Sequence, residues 1–171
     1  MRVRRLLILC CGLLTCLAVS SGVWAKPLPL PQGPVLLTVS GDITRTNGDG
    51  MARFDRAMLE ALPSRTITTH TPWHEQAGRF EGPLAEALLD AVGARGDQLR
   101  VVALNGFEAE VPVSDVSRYQ VILAMKRNGE IMPIRRFGPL FVLYPFDAHP
   151  ELLTEAVRFR SVWQVSRIQV H

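Results

Sequence analysis

Apolar residues recur along this chain with two different periods, and the switches between them mark the elements. Val35, Leu36, Leu37 and Val39 form a β-rich run after Pro34, ended by Gly41-Asp42. Asn47-Gly48-Asp49-Gly50 predicts a turn with Asp49 as a helix N-cap. Met51, Phe54, Met58 and Leu62 then share one helical face up to Pro63, which predicts a helix. The Thr-rich stretch 65–71 reads as a strand, and 78–82 as a short extended segment. Pro83 predicts the first position of a second helix, where its missing N–H costs nothing. Leu84, Ala87, Leu88 and Val92 form the buried stripe of that helix, and Gly93 its C-terminal cap.

A strand is expected over 99–104. Asn105-Gly106 after it is the strongest hairpin signal in the chain, because both residues tolerate positive φ. Phe107, Ala109 and Val111 alternate with Glu108 and Glu110, which gives the returning strand one wet face. Strands follow at 121–125 and 140–144, with an Arg127-Asn128-Gly129-Glu130 turn after the first. The second is apolar throughout, which predicts a central position. A short helix over 150–157 and a strand over 161–170, whose alternation changes phase near Ser166, complete the pattern. Many short strands interrupted by two or three helices indicate an α+β domain with a mixed sheet. The strict βαβ alternation of a doubly wound fold is missing.

The first 25 residues follow a different pattern. Arg2, Arg4 and Arg5 precede an apolar run over 6–19, and Val23-Trp24-Ala25 fits the small-residue rule for signal cleavage. The run falls short of the roughly 20 residues that a spanning helix needs. The expected organisation is a signal peptide at 1–25 cleaved after Ala25, an extended proline-rich leader at 26–33 and one domain at 34–171. The expected location is the periplasm, with no membrane insertion after cleavage.

That division changes the charge picture. The whole chain has 19 basic and 16 acidic residues, but the signal holds three of the arginines and no acid, leaving 16 of each. The net +3 of the full chain is therefore no argument for a nucleic-acid partner, and none is expected. Cys10, Cys11 and Cys16 all lie in the signal. The expected mature protein has no disulfide, no thiolate metal ligand and no cysteine nucleophile.

The sequence has no G-x-S-x-G elbow, no P-loop and no H-E-x-x-H. His70 and His74 have helical metal-ligand spacing, but Pro72 stands between them, and exposed loop histidines are expected instead. Three other segments carry candidate chemistry. In Thr68-Thr69-His70-Thr71-Pro72-Trp73, Trp73 either stacks on a flat heterocycle whose edge the threonine hydroxyls bond, or fills the core. Asn105 and Glu108 set an amide and a carboxylate at a hairpin tip, either to read ligand donors or as solvated surface. Arg135-Arg136-Phe137-Gly138 feeds an apolar strand ending in Tyr144-Pro145-Phe146-Asp147. There Gly138 permits close backbone approach, and the arginines either pair with an anion or form a solvated loop.

These segments, in this order, resemble the sulfite-oxidase-type molybdopterin-binding domain over nearly all of the chain after Pro34. The matching residues are Trp73, Phe80-Glu81-Gly82-Pro83-Leu84, Val92-Gly93, Asn105-Gly106-Phe107, Ile122-Leu123-Ala124-Met125, Asn128-Gly129, Phe137-Gly138-Pro139-Leu140, Tyr144-Pro145, Trp163 and Ile168. The resemblance implies that fold, and in its enzymes a cysteine thiolate on molybdenum four residues before the Trp. Here that position is Thr69, and a neutral hydroxyl is a poor substitute for a soft thiolate.

The chain looks more like a cysteine-free, exported branch that binds a free reduced pterin without catalysis. That branch reports to the periplasmic domain of a membrane-bound cyclic-di-GMP enzyme with diguanylate cyclase and phosphodiesterase domains. On this resemblance Trp73 stacks on the pterin, and Thr69 and Thr71 bond its edge. Asn105 and Glu108 sit at the same mouth, while Arg135, Gly138, Tyr144 and Asp147 line the other wall. Either Glu108 or Asp147 supplies the carboxylate that accepts from the 2-amino and ring N–H groups. Two other functions stay open: a molybdopterin-dependent oxidoreductase with an unusual ligand set, and an interaction domain without a small ligand.

Overall fold

The computed structural model describes residues 27–171, so the expected signal peptide at 1–25 lies outside the described residues. Among the described residues, eleven strands and four α-helices form an α+β domain. The largest sheet has five strands in the order β2-β1-β11-β5-β6. Its members are β1 (Val35–Gly41), β2 (Ala52–Asp55), β11 (Val165–Val170), β5 (Gln98–Ala103) and β6 (Glu108–Pro112). Only the β1/β11 pair is parallel. Its inner face carries Leu37, Val39, Leu99, Val101, Val165, Ile168 and Val170, all buried in one core.

A second sheet has the order β3-β4-β8-β9 and a third pairs β10 with β7. The strands are β3 (Ser64–Thr71), β4 (His74–Pro83), β8 (Lys126–Arg127), β9 (Glu130–Ile131), β7 (Ile122–Ala124) and β10 (Phe141–Leu143). Phe80 on β4 and Phe141 on β10 are fully buried and meet edge-on at 6.3 Å, tying these sheets to the common core.

Several local expectations match the structure. Gly93 closes α2 (Ala85–Val92) at φ 61°, a left-handed position that suits glycine. Gly106 turns the β5–β6 hairpin at φ 84°, while the Asn105 side chain accepts from the Phe107 N–H at 3.0 Å. The phase change at Ser166 is a register shift between Val165 and Arg167 against β5.

Other expectations need correction. The segment expected to be helical from Met51 begins as strand β2, because Ala52 to Asp55 pair antiparallel with β1. The helix α1 covers only Arg56–Glu60, capped by Asp55 rather than Asp49. Asp49 instead takes a positive φ in the preceding turn. Leu84, not a residue before Pro83, is the N-cap of α2, and Pro83 ends β4. The expected helix over 150–157 divides into a 3-10 turn at Pro150–Leu152 and α4 (Glu155–Arg160), capped by the Thr154 hydroxyl. Strand β10 is buried as expected but belongs to the two-stranded ladder rather than the centre of the large sheet. A helix with no sequence-based expectation, α3 (Val113–Tyr119), follows β6 directly.

Candidate functional site

Three chain segments far apart in sequence meet at one cleft of about 500 Å³. The first is the tip of the β3–β4 hairpin, where Thr71 pairs with His74 and only Pro72 and Trp73 form the turn. The Trp73 N–H donates to the Thr71 hydroxyl at 3.3 Å, and that hydroxyl lies 2.7 Å from His74 Nδ1. Burial, and then the neighbouring Arg127 charge, lower the His74 pKa and favour a neutral ring. The second is the β5–β6 hairpin tip with Ala103, Asn105 and Phe107. The third is α4 and the segment after it, which contribute Glu155, Arg158, Phe159 and residues 161–163.

The cleft is rich in aromatic side chains. Trp73 meets Trp163 edge-on at 5.2 Å and Phe141 at 5.7 Å, so it is both a cleft wall and part of the core's aromatic cluster. Phe107 and Phe159 lie nearly parallel at 6.5 Å and are 41% and 56% exposed. Exposed aromatics beside a concave site offer faces on which a flat ligand can stack. Arg158 also borders a second hollow of about 260 Å³ with His70, Thr71, Pro72 and Asp147.

The residues singled out in the sequence separate into three groups. Trp73 and Asn105 line the large cleft, and Thr71 and Asp147 line the small hollow. Thr69, on β3, is 1% exposed and lines neither cavity. Its hydroxyl donates to the His70 carbonyl at 2.9 Å and accepts the Asp147 N–H at 3.0 Å, which fixes it as a bracket. The Asp147 carboxylate accepts from both the backbone N–H and the ring Nδ1 of His70 at 3.0 Å. The backbone N–H of His70 contributes most to holding the Asp147 pKa below its ordinary value.

Four expected residues lie elsewhere. Glu108 is one position out of phase with Phe107 and faces Arg100 at 3.9 Å, on the strand face opposite the cleft wall. Arg135 is exposed on the 3-10 turn Ile134–Arg136 and borders neither cavity. Gly138 is buried, and a side chain there would run into the Met132 carbonyl, so the close approach it permits is to the chain itself. Tyr144 is fully buried and donates its hydroxyl to Asp115 on α3 at 3.0 Å. Burial, then the Asp115 charge, push its pKa far up.

Sequence reasoning did not find Glu155, Arg158 and Phe159, which line the large cleft. Their signal is an i, i+3, i+4 pattern that places them on one face of α4. Such a face reads as solvated surface until the cleft beside it is seen.

No protein-family model matches the chain, and no curated protein matches it. Among solved structures it is similar to the sulfane dehydrogenase SoxCD from Paracoccus pantotrophus, with a TM-score of 0.60 and 18% identity. What they share is the fold. The match covers 79% of this chain and 37% of that one, so the chain spans little more than a third of its neighbour's length. This agrees with the α+β, sulfite-oxidase-like fold implied by the sequence resemblance.

The position that the resemblance assigns to a molybdenum thiolate does not offer a metal ligand here. Thr69 is buried with its hydroxyl engaged on both sides. No cysteine occurs among the described residues, nor any grouping of three His, Cys, Asp or Glu side chains suited to a metal. The donor set therefore does not fit a thiolate-held molybdenum.

Proposed function

We propose that this chain is a non-catalytic binding protein for a free reduced pterin, held in the aromatic cleft. The observation that carries the reading is the wall of that cleft: Trp73, Trp163, Phe107 and Phe159 beside a carboxylate, a guanidinium and an amide. A flat, polar-edged heterocycle matches both parts, because stacking on apolar rings contributes affinity and the few polar groups fix orientation. The engaged Thr69 hydroxyl favours binding without metal chemistry.

The same proposal places the protein in the periplasm after cleavage following Ala25. There it reports pterin occupancy to the periplasmic domain of a membrane-bound cyclic-di-GMP enzyme. The signal pattern and the sequence resemblance support this part. No helix among the described residues is long and apolar enough to cross a membrane.

Trp73 and Trp163 are the only tryptophans after Trp24, and both line the cleft, so indole emission reports on it directly. Anaerobic titration with tetrahydropterin should quench that emission. Trp73→Ala should weaken binding by about 1–3 kcal/mol, the loss expected for one aromatic stacking platform, and Trp73→Phe by less. A Trp73→Ala protein that melts lower yet keeps the full ligand-induced rise in Tm would show that the ligand binds elsewhere. One molybdenum per chain after expression with the cofactor pathway intact would favour the oxidoreductase reading instead.

A further inference from the structure

Glu155 and Arg158 stand three positions apart on α4, and both border the large cleft. Oppositely charged side chains at this spacing are within reach of one another. Yet neither side chain has a hydrogen bond or ion pair to the protein among the described residues. Other arginines of the domain do find partners: Arg160 meets Asp115 at 3.0 Å and Arg100 meets Glu110 at 2.9 Å. The cleft wall thus presents a free carboxylate next to a free guanidinium, beside aromatic rings. A carboxylate has two acceptor oxygens and no donor, and a guanidinium has only donors. Together they complement a flat edge carrying two adjacent N–H donors followed by a carbonyl.

We propose that Glu155 and Arg158 form the reader of a 2-amino-4-oxopyrimidine edge, Glu155 accepting from the 2-amino and N3–H groups and Arg158 donating to the 4-oxo oxygen. This rests on the pterin reading of the cleft and makes it specific. It assigns the carboxylate role to α4 instead of Glu108 or Asp147. It also predicts what is refused. Lumazine in its tetrahydro form has the same reduced bicyclic ring but a carbonyl in place of the 2-amino group, and it sets an oxygen against Glu155. One of the two hydrogen bonds to Glu155 is then exchanged for a contact between two acceptors, so the analogue binds less well even to an exposed carboxylate. Guanosine carries the same edge on a smaller bicycle, so it tests the edge apart from the ring system.

The experiment is anaerobic titration of the mature chain with tetrahydropterin, tetrahydrolumazine and guanosine, followed by indole emission and by calorimetry. Both side chains are exposed, so Glu155→Gln and Arg158→Gln should fold as the wild type does. The wild type should prefer tetrahydropterin to tetrahydrolumazine by roughly tenfold or more. Glu155→Gln should weaken tetrahydropterin by a similar factor and narrow that preference, since an amide can donate to the tetrahydrolumazine oxygen. Arg158→Gln should weaken both pteridines, which share the 4-oxo group. Tetrahydropterin binding with the same affinity and the same preference in Glu155→Gln would overturn the edge reader and leave the pterin cleft standing. A wild-type protein that binds none of the three would overturn the pterin reading itself. Guanosine binding as tight as tetrahydropterin would keep the edge reader and overturn a pterin as its ligand.

Discussion

The hydroxyl of Thr69 accepts the backbone N–H of Asp147 at 3.0 Å and so fastens the β3 strand to the loop after β10. The two residues lie 78 positions apart, and the hydroxyl's own proton goes to the His70 carbonyl. Thr69→Val keeps the shape of the side chain and removes both bonds, leaving the Asp147 N–H without its acceptor. The expected cost is about 1–3 kcal/mol of stability, with Thr69→Ser losing clearly less. Chemical denaturation of the two variants measures this, and equal midpoints would show that the bracket contributes nothing.

Asp55 is expected to set part of the acid limit of the fold. Its carboxylate accepts from the N–H groups of Met58 at 2.9 Å, Gly33 at 2.8 Å and Gln32 at 2.7 Å. These bonds, Met58 first, hold its pKa below the ordinary 3.8. A lowered folded pKa means stability that is full above the unfolded value and lost as pH falls through the folded one. Tm should therefore be insensitive to this group near neutrality and fall once the pH drops below about 4. Asp55→Asn should lower Tm at pH 7 and flatten the acid limb. Parallel Tm–pH curves for the two proteins would contradict the assignment.

Tyr144 separates fold from ligand. Its hydroxyl bonds Asp115, which Arg160 also holds at 3.0 Å. Tyr144→Phe should cost about 1.5–3 kcal/mol through the lost bond to Asp115, and the tetrahydropterin binding proposed for the cleft should be unaffected. A selective loss of affinity, with Tm unchanged, would return Tyr144 to the site.

Gly138 makes the same distinction more severely. A methyl group there meets the Met132 and Pro133 carbonyls, which are backbone and cannot swing aside. Gly138→Ala should destabilise by about 1–3 kcal/mol as the turn shifts to make room. The natural comparison is Gly106→Ala, where nothing lies within 4 Å but φ is 84°. That change should act through backbone strain alone, by roughly 1–2 kcal/mol. Thermal melts of both variants test whether steric clash or dihedral strain limits each turn.

How much of this was legible in the sequence depends on whether the cause was local. The Gly93 cap, the Asn105-Gly106 turn and the irregularity at Ser166 are set by a few neighbouring residues, and the sequence showed each of them. Residues 51–55 misled because a helical spacing of Met51, Phe54, Met58 and Leu62 competes with pairing to β1. The long-range ladder prevails there, and Asp55 marks the boundary. The candidate cleft was legible where a residue has one dominant property, as with the indole of Trp73 at a two-residue turn. It was illegible where placement depends on a partner. Tyr144 reads as a pocket residue until α3 brings Asp115 to it. Glu155 and Arg158 read as an ordinary charged face until the β5–β6 hairpin closes the other side of the cleft.

The position of β11 has a further consequence, for the order in which the chain can assemble. Residues 165–170 occupy the slot between β1 and β5, holding one by parallel and the other by antiparallel pairing. Both neighbours are synthesised long before the strand that joins them. Until it arrives, β1–β2 and β5–β6 are two separate ribbons, each with an unsatisfied edge facing a gap. Their union depends on contacts of the greatest sequence separation in the domain, which form slowly. The domain should consequently acquire its five-stranded sheet in one late, cooperative event, and a nascent chain halted before residue 165 should stay protease-sensitive in the β1–β2 and β5–β6 ribbons.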